Sequence, residues 1–157
     1  GNFVSRVCKL SNKNFGDVVP DGNGIDKDLE LKINEKLNDL TSALEKCEFR
    51  NAVFALRSLW AIANEYMTAK EPWALVKNGD MNGAAASLNE CFQMIDLFAR
   101  VSAPFIPDAA EKMQNVFEIK HDLSWPTKYE HRIANGEKFV VPENLFNRIE
   151  LVEKTNE

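Results

Sequence analysis

The stretch DKDLELKINEKLNDLTSALEKCEFRNAVFALRSLWAIANEYM, residues 26–67, decides the fold. Its apolar residues recur at steps of three and four, which is the spacing that lines one face of a helix. In the first half these residues are Leu29, Ile33, Leu37, Leu40 and Leu44, with Asp26 placed to cap the helix. In the second half they are Phe49, Val53, Leu56, Trp60, Ala63 and Met67. The stretch therefore predicts two amphipathic helices that pair antiparallel.

Further helices are predicted downstream of this hairpin. A long apolar run over residues 84–98 follows a helix start signal at Asp80 or Asn82. Pro107 suits the first turn of a short helix that extends to Phe117, because proline there gives up an N–H that has no partner anyway.

The residue pattern of the sequence changes after His121. Pro126, Gly136 and Pro142 punctuate this part and indicate extended or loop structure, before a last helix over Leu145 to Val152. The predicted fold class is therefore all-α: an antiparallel helical bundle of five or six helices with a partly irregular C-terminal segment.

Length and composition indicate one domain. A chain of 157 residues, 45% of them hydrophobic, buries one core and is too short for a second. We expect a single domain over residues 1–157, with a bundle core over 1–120 and an extended segment and final helix over 121–157. The apolar stretches are too short to span a membrane and no signal peptide pattern opens the chain, so we expect a soluble, cytoplasmic protein.

Charge and motifs limit the function. A formal net charge of −5 weighs against broad binding of phosphates, so any contact with RNA must be local. The sequence has no phosphate-cradling glycine loop, no dinucleotide fingerprint and no metal-binding H-E-x-x-H pattern. We therefore predict no catalytic residue and no metal site in this chain.

The histidines and cysteines fit that interpretation. His121 and His131 lie in the polar C-terminal part without a partner at helical spacing, and are expected to be surface or loop residues. Cys8, Cys47 and Cys91 are odd in number and widely spaced, which suggests neither a zinc site nor a disulfide framework. We expect three buried, reduced thiols.

Four motifs carry a resemblance to a known family. They are GNFVSR (residues 1–6) running on into NKNFG (12–16), ANEYMTAKEPW (63–73), FARVSAPFIPDAAEKM (98–113) and FNRIE (146–150). In this order they resemble the helical anticodon-binding domain of methionyl-tRNA synthetases, which are class I aminoacyl-tRNA ligases. Because the matches are spread over the whole chain, together they are more specific than any one of them.

The resemblance implies an anticodon-binding site. Asn2 and Arg6 would face the tRNA, and positions four apart on a helix differ by about 40° around the axis, so both side chains reach one base. Trp73 would stack on the wobble cytosine of the CAU anticodon, with Pro72 stiffening the backbone beneath it. Tyr66 and Asn64 would support the site without touching RNA.

The resemblance also implies partners. These are methionine tRNA, through its anticodon loop, and a catalytic domain of the same polypeptide, which would use ATP and magnesium and toward which the final helix would fold. The nucleotide-handling signatures of class I synthetases do not occur in this sequence, and Gly1 leads directly into a helical pattern without an initiating Met. We therefore expect a fragment of the ligase that needs no cofactor itself and is a monomer.

Two alternatives remain open. The cysteinyl, valyl, leucyl and isoleucyl enzymes carry related helical domains, although Asn2, Arg6 and Pro72-Trp73 together favour methionine. A helical protein-protein adaptor with no RNA role would suit the acidic pI of about 5.2. Single residues also have ordinary explanations, since Trp73 could be a core residue and Asn2 a helix cap. Proximity of Arg6 and Trp73 in space distinguishes anticodon binding from an adaptor, which requires no such convergence.

Overall fold

A computed structural model describes the backbone of residues 2–146 and the side chains of residues 3–146. Within this part the chain forms six helices and no strand longer than an isolated bridge. The helices are α1 (Asn2–Phe15), α2 (Lys27–Glu45), α3 (Phe49–Lys70), α4 (Pro72–Lys77), α5 (Met81–Ser102) and α6 (Pro107–Gln114). The predicted all-α bundle of five or six helices with a partly irregular C-terminal segment is confirmed.

Helices α2 and α3 form the predicted antiparallel hairpin. Asp26 caps α2, and its carboxylate accepts a hydrogen bond from the backbone N–H of Leu29. Lys70, the last residue of α3, reaches the same carboxylate at 3.4 Å, so the end of α3 lies beside the start of α2. The α2 stripe is buried as predicted, except that Leu44 is only half-buried.

The buried face of α3 differs from the predicted stripe in its first turns. Phe49 is 64% exposed and Val53 is 44% exposed, so their assignment to the core was wrong. The face that packs on the bundle is instead rich in small residues: Ala52, Ala55, Leu56, Leu59, Ala63 and Met67. Alanine lets α2 and α3 approach closely, and the large apolar residues beside this face are left in solvent. Trp60, predicted to be core, is half-buried and stacks on Phe98 with ring centroids 4.2 Å apart.

Helix α5 is the centre of the molecule and is buried along nearly its whole length. Asp80 caps it by accepting a hydrogen bond from Gly83 N–H, as one of the two predicted start signals. Its apolar side chains form the core together with residues of helices α1, α2, α3 and α6. Seven of its buried residues are polar: Ser87, Asn89, Glu90, Gln93, Asp96, Arg100 and Ser102. Polar residues on a helix usually face solvent. When they are buried, they need hydrogen-bond or ion-pair partners.

These polar residues hold the non-helical segments against α5. Asn89 donates to the carbonyl of Pro20 at 2.8 Å, and Gln93 donates to the carbonyl of Ile133 at 2.8 Å. The carboxylate of Asp96 lies 3.2 Å from Nε of Arg132. The segments before α2 and after α6 are therefore fixed to the bundle by hydrogen bonds and ion pairs as well as by apolar contacts.

The histidines lie in loops, as predicted, but each is paired. His121 Nε2 lies 2.9 Å from the buried carboxylate of Glu137, and His131 pairs with the buried carboxylate of Glu90. Both rings are half-buried. The sequence did not indicate these pairs because the partners lie 16 and 41 positions away along the chain.

The cysteine prediction holds for two of the three residues. Cys8 and Cys91 are buried free thiols, and burial raises the pKa of Cys8 to about 12. Cys47 is exposed, which contradicts the expectation. It lies in the tight turn between α2 and α3 with φ of 56°, and a turn at the end of a hairpin has no second layer to cover it.

The C-terminal segment shares the core of the bundle. Tyr129, Ile133 and Phe139 are buried in the same apolar cluster as the helices. The division at residue 120 stays a prediction. Leu145 and Phe146 form a bend rather than a helix, and the rest of the predicted last helix, with most of FNRIE, lies outside the described residues. Over residues 2–146, no helix is long and apolar enough to cross a membrane.

Candidate nucleic-acid interface

Arg6 stands on the outer face of a sharply two-sided helix. The inner face of α1 is buried against the bundle and consists of Phe3, Val4, Val7, Cys8 and Ser11. Phe3 meets the ring of Phe98 on α5 edge to face at 6.1 Å. With this face fixed, the helix geometry turns Arg6 into solvent, where the structure shows it exposed.

Trp73 is positioned by a sharp junction between α3 and α4. Glu71 ends α3 in the left-handed conformation, with φ of 46° and ψ of 57°, and the same residue precedes the first turn of α4. Pro72 follows at the first helical position, where a missing N–H leaves no hydrogen bond unmade, and it is buried. The indole of Trp73 therefore emerges at the start of a new helix and is 36% exposed.

The structure brings Arg6 and Trp73 together. The Cζ atom of Arg6 lies over the indole ring of Trp73, 5.4 Å from its centroid. Attraction between a guanidinium and an indole face contributes about 0.5–1 kcal/mol at an exposed site. Two residues from separate motifs thus form one surface that carries an aromatic ring and a planar set of hydrogen-bond donors.

Asn2 begins α1 one turn before Arg6. The side chain of Asn2 is outside the described part of the structure, and its role stays a prediction.

The two proposed supporting residues lie on different sides of α3. Asn64 is exposed and donates to the carbonyl of Trp60 at 2.9 Å, and it lines an open groove of about 460 Å³ with Trp60 and Phe146. Tyr66 is half-buried, and Lys70 Nζ lies 5.5 Å from its ring centroid. Positions two apart on a helix differ by about 200°, so these two side chains diverge.

Tyr66 faces the junction of α2, α3 and α5. It lines a cavity of about 430 Å³ together with Asp26, Ser87 and Glu90. Burial, with the nearby Cys91 and Glu90, raises the pKa of Tyr66 well above its ordinary value, so the hydroxyl keeps its proton. The residues around Tyr66 thus belong to the packing of the bundle. Its supporting role at the Trp73 site stays a prediction.

The outer face of α1 contains two residues that the sequence analysis did not single out. Lys9 and Lys13 are exposed on the same helix as Arg6. Their spacing from Arg6, three and seven positions, is itself a signal for a shared helix face.

Comparison with known proteins agrees with the resemblance. The family described as the anticodon binding domain of methionyl tRNA ligase matches residues 19–156. The methionine-tRNA ligase of Caulobacter vibrioides is 36% identical over 157 residues, covering 96% of this chain and 27% of that protein. The Streptomyces avermitilis ligase is 37% identical over 158 residues, covering 95% of this chain and 27% of that protein. The chain thus spans about a quarter of the length of these relatives.

Solved structures share the fold. The apo form of Mycobacterium tuberculosis methionyl-tRNA synthetase superposes with a TM-score of 0.75 at 21% identity, over 96% of this chain and 32% of that one. The same enzyme in complex with methionyl-adenylate gives a TM-score of 0.69 at 20% identity, over 94% of this chain and 30% of that one. Since the family model matches most of the sequence, this chain belongs to the family of methionyl-tRNA ligase anticodon-binding domains.

Proposed function

We propose that this domain recognises the CAU anticodon of methionine tRNA by stacking one base on Trp73 and reading base edges with Arg6 and Asn2. The observation that carries the proposal is the contact between Arg6 and Trp73 on the exposed surface. Family membership supports it, because the family is defined by anticodon binding.

The chemistry of the two side chains suits unpaired bases. Stacking of a base on an aromatic ring contributes about 1–3 kcal/mol, and it needs an accessible ring such as that of Trp73. The guanidinium of Arg6 offers several donors in one plane, and a bidentate contact of this kind discriminates between bases by about 1–3 kcal/mol. Arg6 also steadies the indole, so the platform is ordered before RNA arrives.

Glu71 favours contact with bases over contact with phosphates at this point. Its carboxylate is exposed and lies two positions before Trp73. A negative charge there repels the RNA backbone, whereas base edges and faces carry no net charge. A phosphate bound directly beside Glu71 would count against this assignment.

Within a full-length methionine-tRNA ligase, the domain would orient the tRNA for chemistry performed elsewhere. The catalytic domain of the same polypeptide would carry out ATP-dependent aminoacylation with magnesium, and this chain would need no cofactor. We propose a cytoplasmic monomer. We assign the domain to a methionyl enzyme rather than to a cysteinyl, valyl, leucyl or isoleucyl enzyme, because the matched family is the methionyl one.

The adaptor alternative gains no specific support. An adaptor without an RNA role requires no convergence of Arg6 and Trp73, yet the two residues meet.

A direct test is the discrimination between two RNAs. Fluorescence anisotropy would follow titration of a labelled CAU anticodon stem-loop with the protein at low salt, beside an identical stem-loop with an altered anticodon. We expect tighter binding of the CAU loop, because stacking and edge contacts both depend on the bases. Equal affinity for the two loops would reject anticodon recognition.

A further inference from the structure

Arg6 is the first of three basic residues on the outer face of α1. Lys9 and Lys13 follow it at three and seven positions, and both are exposed. At about 100° per residue, all three side chains fall within an arc of about 60° around the helix. The inner residues of α1 are fixed in the core, so the helix cannot rotate this basic stripe away from solvent.

The charge of α1 contrasts with that of the rest of the chain. This helix carries three of the 19 Lys and Arg residues and none of the 24 Asp and Glu residues. The rest of the chain therefore has 16 basic and 24 acidic residues, a formal net charge of −8, against +3 on α1. A local basic surface on an acidic protein attracts phosphate at one place while the remaining surface repels it.

Within the described residues, the basic side chains of α1 also form no ion pair. Lys27, Lys36 and Lys70 form ion pairs with carboxylates of the chain. Among the side chains of residues 3–146, no carboxylate lies within ion-pair distance of Arg6, Lys9 or Lys13. Their charges are thus available to a ligand.

The stripe begins at the proposed base-reading surface. Arg6 lies over Trp73, and Lys13 lies about 10 Å further along the helix axis. An RNA strand whose bases meet Arg6 and Trp73 therefore passes along the stripe if it continues in the direction of α1.

From this arrangement we infer that Lys9 and Lys13 bind backbone phosphates of the RNA strand adjoining the anticodon. The inference rests on the proposed function. It gives the basic residues of α1 two roles: Arg6 contacts bases, and the two lysines position the strand. Phosphate contacts fix register without carrying sequence information. The lysine ammonium suits that role, because it is a compact point charge on a flexible stem rather than a planar fork.

The salt dependence of binding isolates this contribution. Each phosphate neutralised by a lysine steepens the plot of log affinity against log salt concentration by about 0.7 for single strands and about 0.9 for duplexes. The test compares wild-type protein with the double variant Lys9→Gln/Lys13→Gln, titrated against the labelled CAU stem-loop over a series of salt concentrations. Lys46→Gln/Arg50→Gln is the matched control. Lys46 follows the end of α2 and Arg50 lies in the first turn of α3, and both are exposed. Arg50 is about 30 Å from Glu71 along α3.

We expect the Lys9→Gln/Lys13→Gln slope to be shallower by about 1.5, while the preference for CAU over the altered anticodon stays within about twofold of wild type. The control pair should keep the wild-type slope. Thermal unfolding checks that both variants are folded, because Lys13 in the last turn of α1 also complements the helix dipole.

Three outcomes separate this inference from the proposed function. An unchanged slope in Lys9→Gln/Lys13→Gln, or an equal reduction in the control pair, overturns the inference even when the CAU preference is intact. A shallower slope confined to Lys9→Gln/Lys13→Gln, in a protein that does not discriminate the loops, supports the phosphate contacts and rejects anticodon recognition. Absence of any binding by the wild-type protein overturns both.

Discussion

The guanidinium of Arg6 lies over the indole of Trp73, with Cζ 5.4 Å from the ring centroid. One residue comes from the first helix and the other from the junction that follows the helical hairpin. Their contact unites two motifs that the sequence analysis treated separately, and it gives the proposed site both a stacking surface and directional donors.

Arg6→Lys separates charge from geometry. Lysine keeps the positive charge and the attraction to the indole but loses the planar fork of donors. We expect the preference for CAU over the altered anticodon to fall about tenfold, within the range of about 1–3 kcal/mol for a bidentate base contact. The salt dependence should stay at its wild-type slope. Anisotropy titrations of both loops measure the two quantities, and an unchanged preference would remove Arg6 from base reading.

Glu71 should be replaceable by asparagine with a gain in stability. A side-chain-bearing residue in the left-handed region costs about 1–2 kcal/mol, and asparagine tolerates this region best among such residues. We expect Glu71→Asn to raise the free energy of unfolding by up to about 1 kcal/mol in urea titrations. Glu71→Gln is the control, because it removes the charge and leaves the backbone cost in place. Equal stability of the two variants would show that charge, not conformation, decides.

Asp26 should make the stability of the helical hairpin depend on pH in the acid range. The hydrogen bond from Leu29 N–H, with the charge of Lys70, holds the pKa of this carboxyl below its ordinary value, although burial opposes them. A depressed pKa in the folded state contributes stability that is present above about pH 4 and is lost as the pH falls through the folded pKa. Asp26→Ala should cost about 0.5–2 kcal/mol at pH 7 for the lost cap.

Asp26→Asn is the matched variant for this test, since asparagine caps a helix about as well as aspartate but carries no charge. The difference in unfolding midpoint between wild type and Asp26→Asn should be larger at pH 7 than at about pH 3, because the carboxyl takes up a proton as the pH falls toward its folded pKa. A difference that is the same at both pH values would contradict the assigned role of the charge.

Arg132 should be needed to stabilise the buried carboxylate of Asp96. Burial raises the pKa of Asp96 above its ordinary value, while Arg100 and Arg132 lower it. Arg132→Met removes one counter-charge and should cost about 2–3 kcal/mol at pH 7. The loss of stability in Arg132→Met requires that Asp96 is ionised. It should therefore shrink as the pH falls toward 4 and the carboxyl takes up a proton.

Asp96→Asn provides the control for that prediction. In this background Arg132→Met no longer leaves the Asp96 carboxylate short of a counter-charge, so it should cost much less and its effect should depend much less on pH. Urea unfolding of the four proteins at two pH values measures the coupling. Equal effects of Arg132→Met in both backgrounds would show that the ion pair does not stabilise the C-terminal segment.

Much of the fold follows from local signals in the sequence. The spacing of Leu29, Ile33, Leu37 and Leu40 and the cap at Asp26 predicted α2, and Pro107 predicted the first turn of α6. Such signals act within one or two helical turns, so a single sequence displays them. The burial of Ala52 and Ala55 in place of Phe49 is different, because it depends on how closely α2 approaches, which no spacing within α3 reveals.

The polar side of α5 could not be predicted for a related reason. Asn89 and Gln93 have their partners at Pro20 and Ile133, distant in sequence and supplied by segments without periodicity. In the candidate site, the exposure of Arg6 follows from the helix pattern of α1, whereas its contact with Trp73 depends on how α1 and α4 each pack on α5. The resemblance indicated both residues, and only the structure placed them together.

The central claim is that Trp73 provides the stacking surface for an anticodon base. Fluorescence anisotropy with the labelled CAU stem-loop and its altered-anticodon counterpart should compare wild type, Trp73→Ala and Phe54→Ala. The Phe54→Ala variant is the control, because it removes an exposed aromatic ring at a different place, on α3. The account predicts that Trp73→Ala weakens binding of the CAU loop roughly tenfold to a hundredfold and lowers the preference for CAU, while Phe54→Ala binds as wild type. Wild-type affinity and preference in a folded Trp73→Ala protein would contradict it.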